Sequence, residues 1–307
     1  MASLPFRGSN PSWLILSHID ANRPLPDGQG RGRFNQSRPM KQKTEIRGRK
    51  IAYALLGTEG APAVVLGHAL GANSHIWGYQ LPLLTARFRV LAYDLPGHGE
   101  SDPPIGQDSF DDFARDLVAL LDRTGISRAT LVGLSIGGMV AQHFASLYPD
   151  RLRALVLCST GCQTNEAGKK IFEDRIAQVN EGGVETQVEG SITRWFTPQF
   201  ASDAPATIEW VKWMYRKTSP AGFINGCRAI QELDTLDRLS NITAPTLLIP
   251  GELDQGFPES VSRTIQSRIK NAQLKVLTGA AHIGNVELPH RFNELLFEFL
   301  AEVAPQN

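Results

Sequence analysis

The sequence predicts an α/β chain: a mainly parallel central sheet, helices on both faces, and a helical segment inserted before the last strands. Three observations carry this. Short runs rich in Val, Ile and Leu, each bounded by turn residues, recur along the chain, as fits strands buried on both faces of a parallel sheet. Amphipathic stretches lie between them, so strand and helix alternate. One interval, 163–239, breaks that rhythm with helix-like segments and no comparable strand run.

Taken in order, residues 1–39 repeat Pro, Gly, Asn and Arg without an apolar period, as in "RPLPDGQGRGRFNQSRP", and are expected to be a disordered extension. Order begins with "TEIRGRKIAYALLG", which reads as a hairpin turning at Arg47-Gly48. The strand-like runs follow: "AVVLG" from Ala63, "RVLAYD" from Arg89, "ATLVGL" from Ala129, "ALVLC" from Ala154, "TLLIPG" from Thr246 and "LKVLT" from Leu274. From Ser109, "SFDDFARDLVALLDRTG" repeats Phe113, Leu117, Leu120 and Leu121 at helical steps and stops at Gly125. The segments 40–162 and 240–307 therefore form the sheet-bearing core. The segment 163–239, with "WFTPQF" and "IEWVKWMYRKT", forms a helical lid over it.

Composition narrows the function classes. The chain has 307 residues, 42% hydrophobic and 20% charged, ordinary for a globular protein. Its 31 basic and 31 acidic residues leave no net field to attract nucleic acid or an anionic membrane, so no nucleic-acid or membrane partner is expected. The longest N-terminal apolar run, "WLILSHI", falls short of the roughly 18 residues of a membrane span. Cys158, Cys162 and Cys227 are odd in number and lack zinc-ligand spacing, which fits reduced, buried thiols in a cytoplasm.

The chemistry lies in four stretches. In "TLVGLSIGGMVAQ" a strand-like run ends in Gly133-x-Ser135-x-Gly137, the glycine spacing of a serine held on a tight strand-to-helix turn. A serine hydroxyl needs a base within hydrogen-bond reach, itself oriented by a third group. "ELDQGFP" puts Asp254 beyond one strand and "GAAHIGNVELP" puts His282 beyond the next, where parallel sheets gather catalytic groups. Glu252 is a rival acid set closer to its strand. Taken singly, each residue has a plainer reading: Ser135 as a helix N-cap, Asp254 as a turn residue capping its own backbone, His282 as a polar loop residue. The oxyanion requires two backbone N–H groups: the first is expected from Ile136, which follows the serine, and the second from Leu70, because "GHALGANSHIW" resembles a His-Gly-x turn that supplies such a donor. Ala69 stands where that turn usually has glycine. His98 in "YDLPGHGESD" is expected to be structural.

The chain order Ser, Asp, His, each after a strand, resembles the α/β-hydrolase arrangement. From about Lys43 to Val303 the sequence is similar to the 3-oxoadipate enol-lactonases of that superfamily. The stretches "GHALGANSHIW", "YDLPGHGESD", "GLSIGGMVAQ", "PDRLRALVLCST", "RWFTP", "APTLLIPGELD" and "AAHIGNVELP" follow the family's pattern in order, with the lid stretch the most discriminating. The resemblance implies opening of a small carboxylate-bearing enol-lactone, in the degradation of aromatic compounds, with no metal or organic cofactor. A carboxylate entering an apolar pocket needs a cation or several donors, and "ITRWFTP" offers Arg194 beside Trp195. Lys212 and Arg216 are rival cations, and Arg194 could instead pair with a lid acid such as Glu189 or lie in solvent. Two other classes share these features: a carboxylesterase or carbon-carbon hydrolase of ring-cleavage products, and a small-molecule receptor on the same fold. The sequence is silent on oligomeric state.

Met40 directly precedes the region of resemblance. A chain beginning at Met40 is expected to keep both melting temperature and kcat/KM, which a side-by-side comparison with the full chain checks.

Overall fold

The computed structural model describes residues 41–303, so the expected extension at 1–39 and the run at 13–19 lie outside the described residues. Strands β1 (Gln42–Ile46) and β2 (Arg49–Leu56) form the expected hairpin. Arg47 and Gly48 both take left-handed backbone, φ 49° and 81°, the pairing whose twist matches that of the flanking strands. Next come β3 (Ala63–Gly67), α1 (Leu81–Thr85), β4 (Arg89–Tyr93), α2 (Phe110–Arg123), β5 (Ala129–Leu134), α3 (Ile136–Leu147) and β6 (Leu152–Cys158). Five helices then follow without a strand: α4 (Glu166–Gly182), α5 (Val188–Trp195), α6 (Pro198–Asp203), α7 (Pro205–Tyr215) and α8 (Pro220–Gln231). The chain returns to the sheet with β7 (Thr246–Ile249), α9 (Glu259–Arg268), β8 (Ala272–Leu274), α10 (Gly284–Glu287) and α11 (Pro289–Glu302).

The eight strands run in the order β1-β2-β4-β3-β5-β6-β7-β8, parallel from β4 to β8 and antiparallel at the hairpin edge. Every residue of β3 and β5 is buried, which explains their unbroken apolar character. The chain leaves β3 toward β4 on one side and returns to β5 on the other. The C-terminal ends of β3 and β5 therefore flank the crevice that this reversal opens, where such sheets place ligands.

The last strand differs from expectation. Regular pairing covers Ala272–Leu274 rather than the whole of "LKVLT", yet Lys275 N still reaches Leu248 O at 3.0 Å and Leu277 N reaches Pro250 O at 2.8 Å. Pro250 has no N–H to return, so the ladder thins there instead of ending. Helix α2 begins as the sequence implies. Ser109 Oγ accepts from Asp112 N at 3.2 Å, and Asp112 Oδ2 accepts from Ser109 N at 3.0 Å, satisfying two otherwise orphaned donors.

The helical insertion is held at its neck and from the side. At the neck, Thr164 N donates to Leu233 O at 3.0 Å and Thr235 N to Cys162 O at 2.7 Å. Gln142 of α3 braces the same point, donating to Gly161 O at 2.9 Å and accepting from Thr235 Oγ1 at 2.7 Å. On the side, Asn225 of α8 donates to Asp108 Oδ2 at 2.9 Å and accepts from Asp108 N at 2.9 Å. Asp108 is also gripped by two nitrogens of Arg49, at 2.8 and 3.0 Å, and Arg49 further bonds Asp116. These three charged side chains are at most 8% exposed, so the pairing compensates a desolvation that neither carboxylate could bear alone.

Arg49→Met should therefore lower unfolding free energy by about 3–5 kcal/mol, because it leaves the buried Asp108 without a cation and Asp116 with only Arg47, at 3.2 Å. Urea unfolding of the variant beside the wild type measures this.

Candidate active site

The turn between β5 and α3 is built by steric exclusion. A Cβ on Gly133 would lie 2.4 Å from Gly137 O, and one on Gly137 would lie 2.5 Å from Gly67 C. Ser135 between them takes φ 54° and ψ −117°, backbone that a non-glycine residue adopts only when its surroundings enforce it. Those surroundings are visible: Ser135 N donates to Cys158 O at 2.9 Å, and Ser135 O accepts from Thr160 Oγ1 at 2.7 Å. Ser135 occupies the N-cap position of α3, yet its hydroxyl makes no capping bond, so the plainer reading of it fails.

Asp254 and His282 meet as expected, with His282 Nδ1 2.8 Å from Asp254 Oδ2. The other oxygen, Oδ1, accepts from Gly256 N at 2.9 Å and Phe257 N at 3.1 Å. Asp254 thus faces His282 with one oxygen and caps its own turn with the other. Burial pushes its pKa up, but the charge and hydrogen bond of His282 and the two backbone donors outweigh this and hold it below the usual carboxylate value. A carboxylate can only accept, so Nδ1 carries the proton and Nε2 keeps its lone pair. Neither Nε2 nor Ser135 Oγ has a hydrogen-bond partner among the described residues, and no bond joins the two in this structure. Phe257 stacks on the imidazole with ring centroids 5.7 Å apart. Glu252, the rival acid, instead accepts from Gly279 N at 2.8 Å.

The Leu70 turn explains how Ala69 is accommodated. The left-handed residue is Gly71, φ 81°, and a Cβ there would meet the Tyr215 ring at 2.4 Å. His68 fixes the rest. Leu95 N donates to its Nε2 at 2.9 Å, so Nδ1 bears the proton and donates to Ala69 O at 2.8 Å. Ala69 O also accepts from Ala72 N at 2.9 Å. In a trans peptide the carbonyl and the following N–H point opposite ways, so anchoring Ala69 O aims the Leu70 N–H. Gly137 N donates to His68 O at 3.1 Å and ties this turn to the serine turn. The amides of Leu70 and Ile136 donate to no acceptor among the described residues. Their side chains meet beneath α8, where a Cβ on Gly226 would lie 2.5 Å from Leu70 Cδ1 and 3.3 Å from Ile136 Cδ1. His68 is fully buried and its pKa is lowered chiefly by burial. His98, also buried, is lowered to about 3 for the same reason first, which fits a structural role.

Of the expected lid residues, Trp195 is buried, and its carbonyl accepts from Ile283 N at 3.1 Å, next to His282. Arg194 is exposed, as its solvent reading expects, donates to Ser191 Oγ at 3.0 Å and pairs with no acid among the described residues. Glu189 is taken by Lys212 at 2.7 Å, and Arg216 holds Glu185 at 2.7 Å, so both rival cations are engaged. Sequence reasoning missed Glu287, although "GNVELP" contained it. Its Oε1 accepts from Thr197 N at 2.8 Å and Oε2 from Ala281 N at 2.7 Å, which joins the insertion to the loop of His282. A separate hollow of about 600 Å³, bordered by Phe110, Asp111, His143, Arg228 and Arg238, excludes Ser135, Asp254 and His282. There Asp111 already bonds His143 at 2.6 Å and Arg238 at 2.9 Å.

A family model described as the alpha/beta hydrolase fold matches residues 62–289, and the chain belongs to the α/β-hydrolase family. Within it, the chain is 33% identical over 243 residues to 3-oxoadipate enol-lactonase 2 of Acinetobacter baylyi, covering 79% of this chain and 90% of that one. The enol-lactonase structure from Burkholderia xenovorans LB400 superposes with a TM-score of 0.82 at 27% identity, covering 85% of this chain and all of the other. A thermophilic esterase from Thermogutta terrifontis, solved with malate bound, gives 0.81 at 28% identity over 87% of this chain and all of that one. Among the described residues no helix is long and apolar enough to cross a membrane.

Because the folded-state pKa of Asp254 lies below its unfolded value, near 3.9, its contribution to stability is present above that pH and is lost as pH falls through the folded value. The stability gap between wild type and Asp254→Asn should accordingly shrink below about pH 4, as followed by thermal melts across pH.

Proposed function

We propose that this hydrolase opens a small carboxylate-bearing enol-lactone through an acyl-enzyme on Ser135, with His282 as general base and Asp254 as its orienting partner. Ser135 Oγ attacks the lactone carbonyl and passes its proton to His282 Nε2. The carbonyl oxygen becomes an oxyanion and takes hydrogen bonds from Leu70 N–H and Ile136 N–H, which have no acceptor among the described residues. Collapse breaks the ring C–O bond and expels an enolate, a better leaving group than an alkoxide, so His282 need give little acid assistance. The enolate collects the proton held on His282 Nε2, which returns the imidazole to its neutral form, and the resulting enol tautomerises to the ketone. Water then attacks the acyl-enzyme, His282 Nε2 accepts its proton, and Ser135 is released as the second carboxylate forms.

The observation that carries the lactone reading beyond general ester hydrolysis is Arg194. It precedes Trp195, whose carbonyl accepts from Ile283 N next to His282, and has no acid of its own among the described residues, whereas Lys212 and Arg216 are neutralised. A substrate carboxylate meets that unspent charge. The enol-lactonases among the relatives support the same reading. A carboxylesterase is the second reading, favoured by the likeness to the esterase fold of equal quality. A panel of enol-lactones, aryl esters and ring-cleavage dienes compared by kcat/KM separates them: the charged enol-lactone should lead, and a lead by neutral aryl esters overturns the lactone reading.

Ser135→Ala should lower kcat on the best substrate by about 10⁴- to 10⁶-fold, and adding His282→Ala should cost little more, because the groups act as a unit. Steady-state kinetics on both variants, with circular dichroism to confirm the fold, checks this; wild-type-like turnover by Ser135→Ala would remove the serine from the mechanism.

A further inference from the structure

A second cation in the insertion has no acid to answer it. Arg175, on α4, donates from Nε to the side-chain oxygen of Gln187 at 3.1 Å and lies 5.1 Å from the Phe223 ring centroid and 5.4 Å from that of Phe172. Like Arg194, it makes no ion pair among the described residues, though most neighbouring lid cations do: Lys169, Lys170, Lys212 and Arg216 are all paired. Both arginines border Tyr215. Arg194 reaches it through Ser191, whose hydroxyl donates to the Tyr215 oxygen at 3.1 Å, and Arg175 stacks on Phe223, whose ring lies 6.0 Å from that of Tyr215. Tyr215 in turn packs on Gly71, one residue beyond the Leu70 amide, and on Trp195, with ring centroids 5.4 Å apart.

Arg175 is half-buried and Arg194 exposed, so water screens their repulsion only in part, and an anion joining them would relieve it. The opposition registers on Arg194, whose pKa is lowered first by burial and next by the charge of Arg175. Arg175 is also the leading influence against the upward push that burial gives the Tyr215 hydroxyl. The aromatic rings beneath Arg175 keep its fork in place without neutralising it, as suits a guanidinium waiting for a planar, two-oxygen partner.

We propose that Arg175 and Arg194 together form a two-guanidinium seat for the substrate's carboxylate, with Arg175 the specificity-determining member that sequence motifs do not mark. This rests on the lactone reading above for the identity of the substrate, but the seat itself requires only a small carboxylate. A carboxylate bridging the two cations would be held at the insertion while its reacting carbonyl reaches toward the Leu70 turn beneath Tyr215.

Two measurements test the seat and keep its failure apart from that of the lactone reading. In the first, kcat/KM is measured on a carboxylate-bearing enol-lactone and on its methyl ester, and the ratio of the two is compared in wild type and Arg175→Met. The ratio should fall about 10- to 100-fold, the loss of a charge-assisted contact, and Arg175→Lys should recover part of it. An unchanged ratio with enol-lactone turnover intact overturns the seat and leaves the lactone reading standing. In the second, p-nitrophenyl acetate hydrolysis is inhibited with butanoate and with butanamide, which differ in charge but hardly in size. Butanoate should bind the wild type more tightly, and that preference should collapse in Arg175→Met. If it does so in an enzyme that ignores enol-lactones, the seat stands and the lactone reading fails. Equal inhibition by the two compounds in the wild type overturns the seat. Melting temperatures of the variants identify any loss that comes from loosened packing on Phe172 and Phe223.

Discussion

The structure depends on how closely two backbones approach. Gly67 at the end of β3 and Gly137 at the start of α3 are so near that a Cβ on Gly137 would clash with Gly67 C at 2.5 Å and one on Gly67 would crowd Gly137 Cα at 3.2 Å. That approach lets Gly137 N bond His68 O, which locks the serine turn to the Leu70 turn. His68 then passes the order on, because its ring is caught between Leu95 N and Ala69 O and so aims the next peptide. From the missing side chains of two glycines follows the placement of two amides from distant parts of the chain.

Burial enforces a definite protonation state on most of the groups around this point. His68 and His98 are kept neutral, since charging an enclosed imidazole has no compensating partner strong enough to offset desolvation. Asp254 is kept ionised despite its enclosure, because three donors converge on its two oxygens. The division of labour between those oxygens also means that the turn after β7 cannot relax without turning His282 with it.

Much of this was legible in the sequence, and particular residues show why. The glycine spacing around Ser135 was readable because only a crowded turn demands it. Asp254 and His282 were readable because strand ends in parallel sheets are the places from which side chains converge. The runs of Val, Ile and Leu revealed β3 to β7 because strands buried on both faces need no alternation; regular pairing of β8 stops at Leu274 because Pro250, just after β7, has no N–H to donate, a property of the neighbouring segment and not of its own residues. His68 was seen only as part of a turn, since its tautomer follows from Leu95, 27 positions away. Glu287 and Arg175 were hidden for the same reason. Their meaning lies in what they face across the fold, or in Arg175's case in having no acid among the described residues, and no local pattern encodes either.

The fastening of the insertion bears on how a substrate could arrive. A hinged cover must let go somewhere when it swings, but here the neck is closed by Thr164 and Thr235, the flank by Asn225 on Asp108, and the side facing His282 by Glu287 on Thr197. Raising it as a unit would break all of these together, at about 0.5–1.5 kcal/mol for each neutral bond and more for those to carboxylates. The helices over the sheet are thus closer to masonry than to a door. Traffic through them belongs to small rearrangements of side chains in the seams, on the timescale of rotamers and loops rather than of domains.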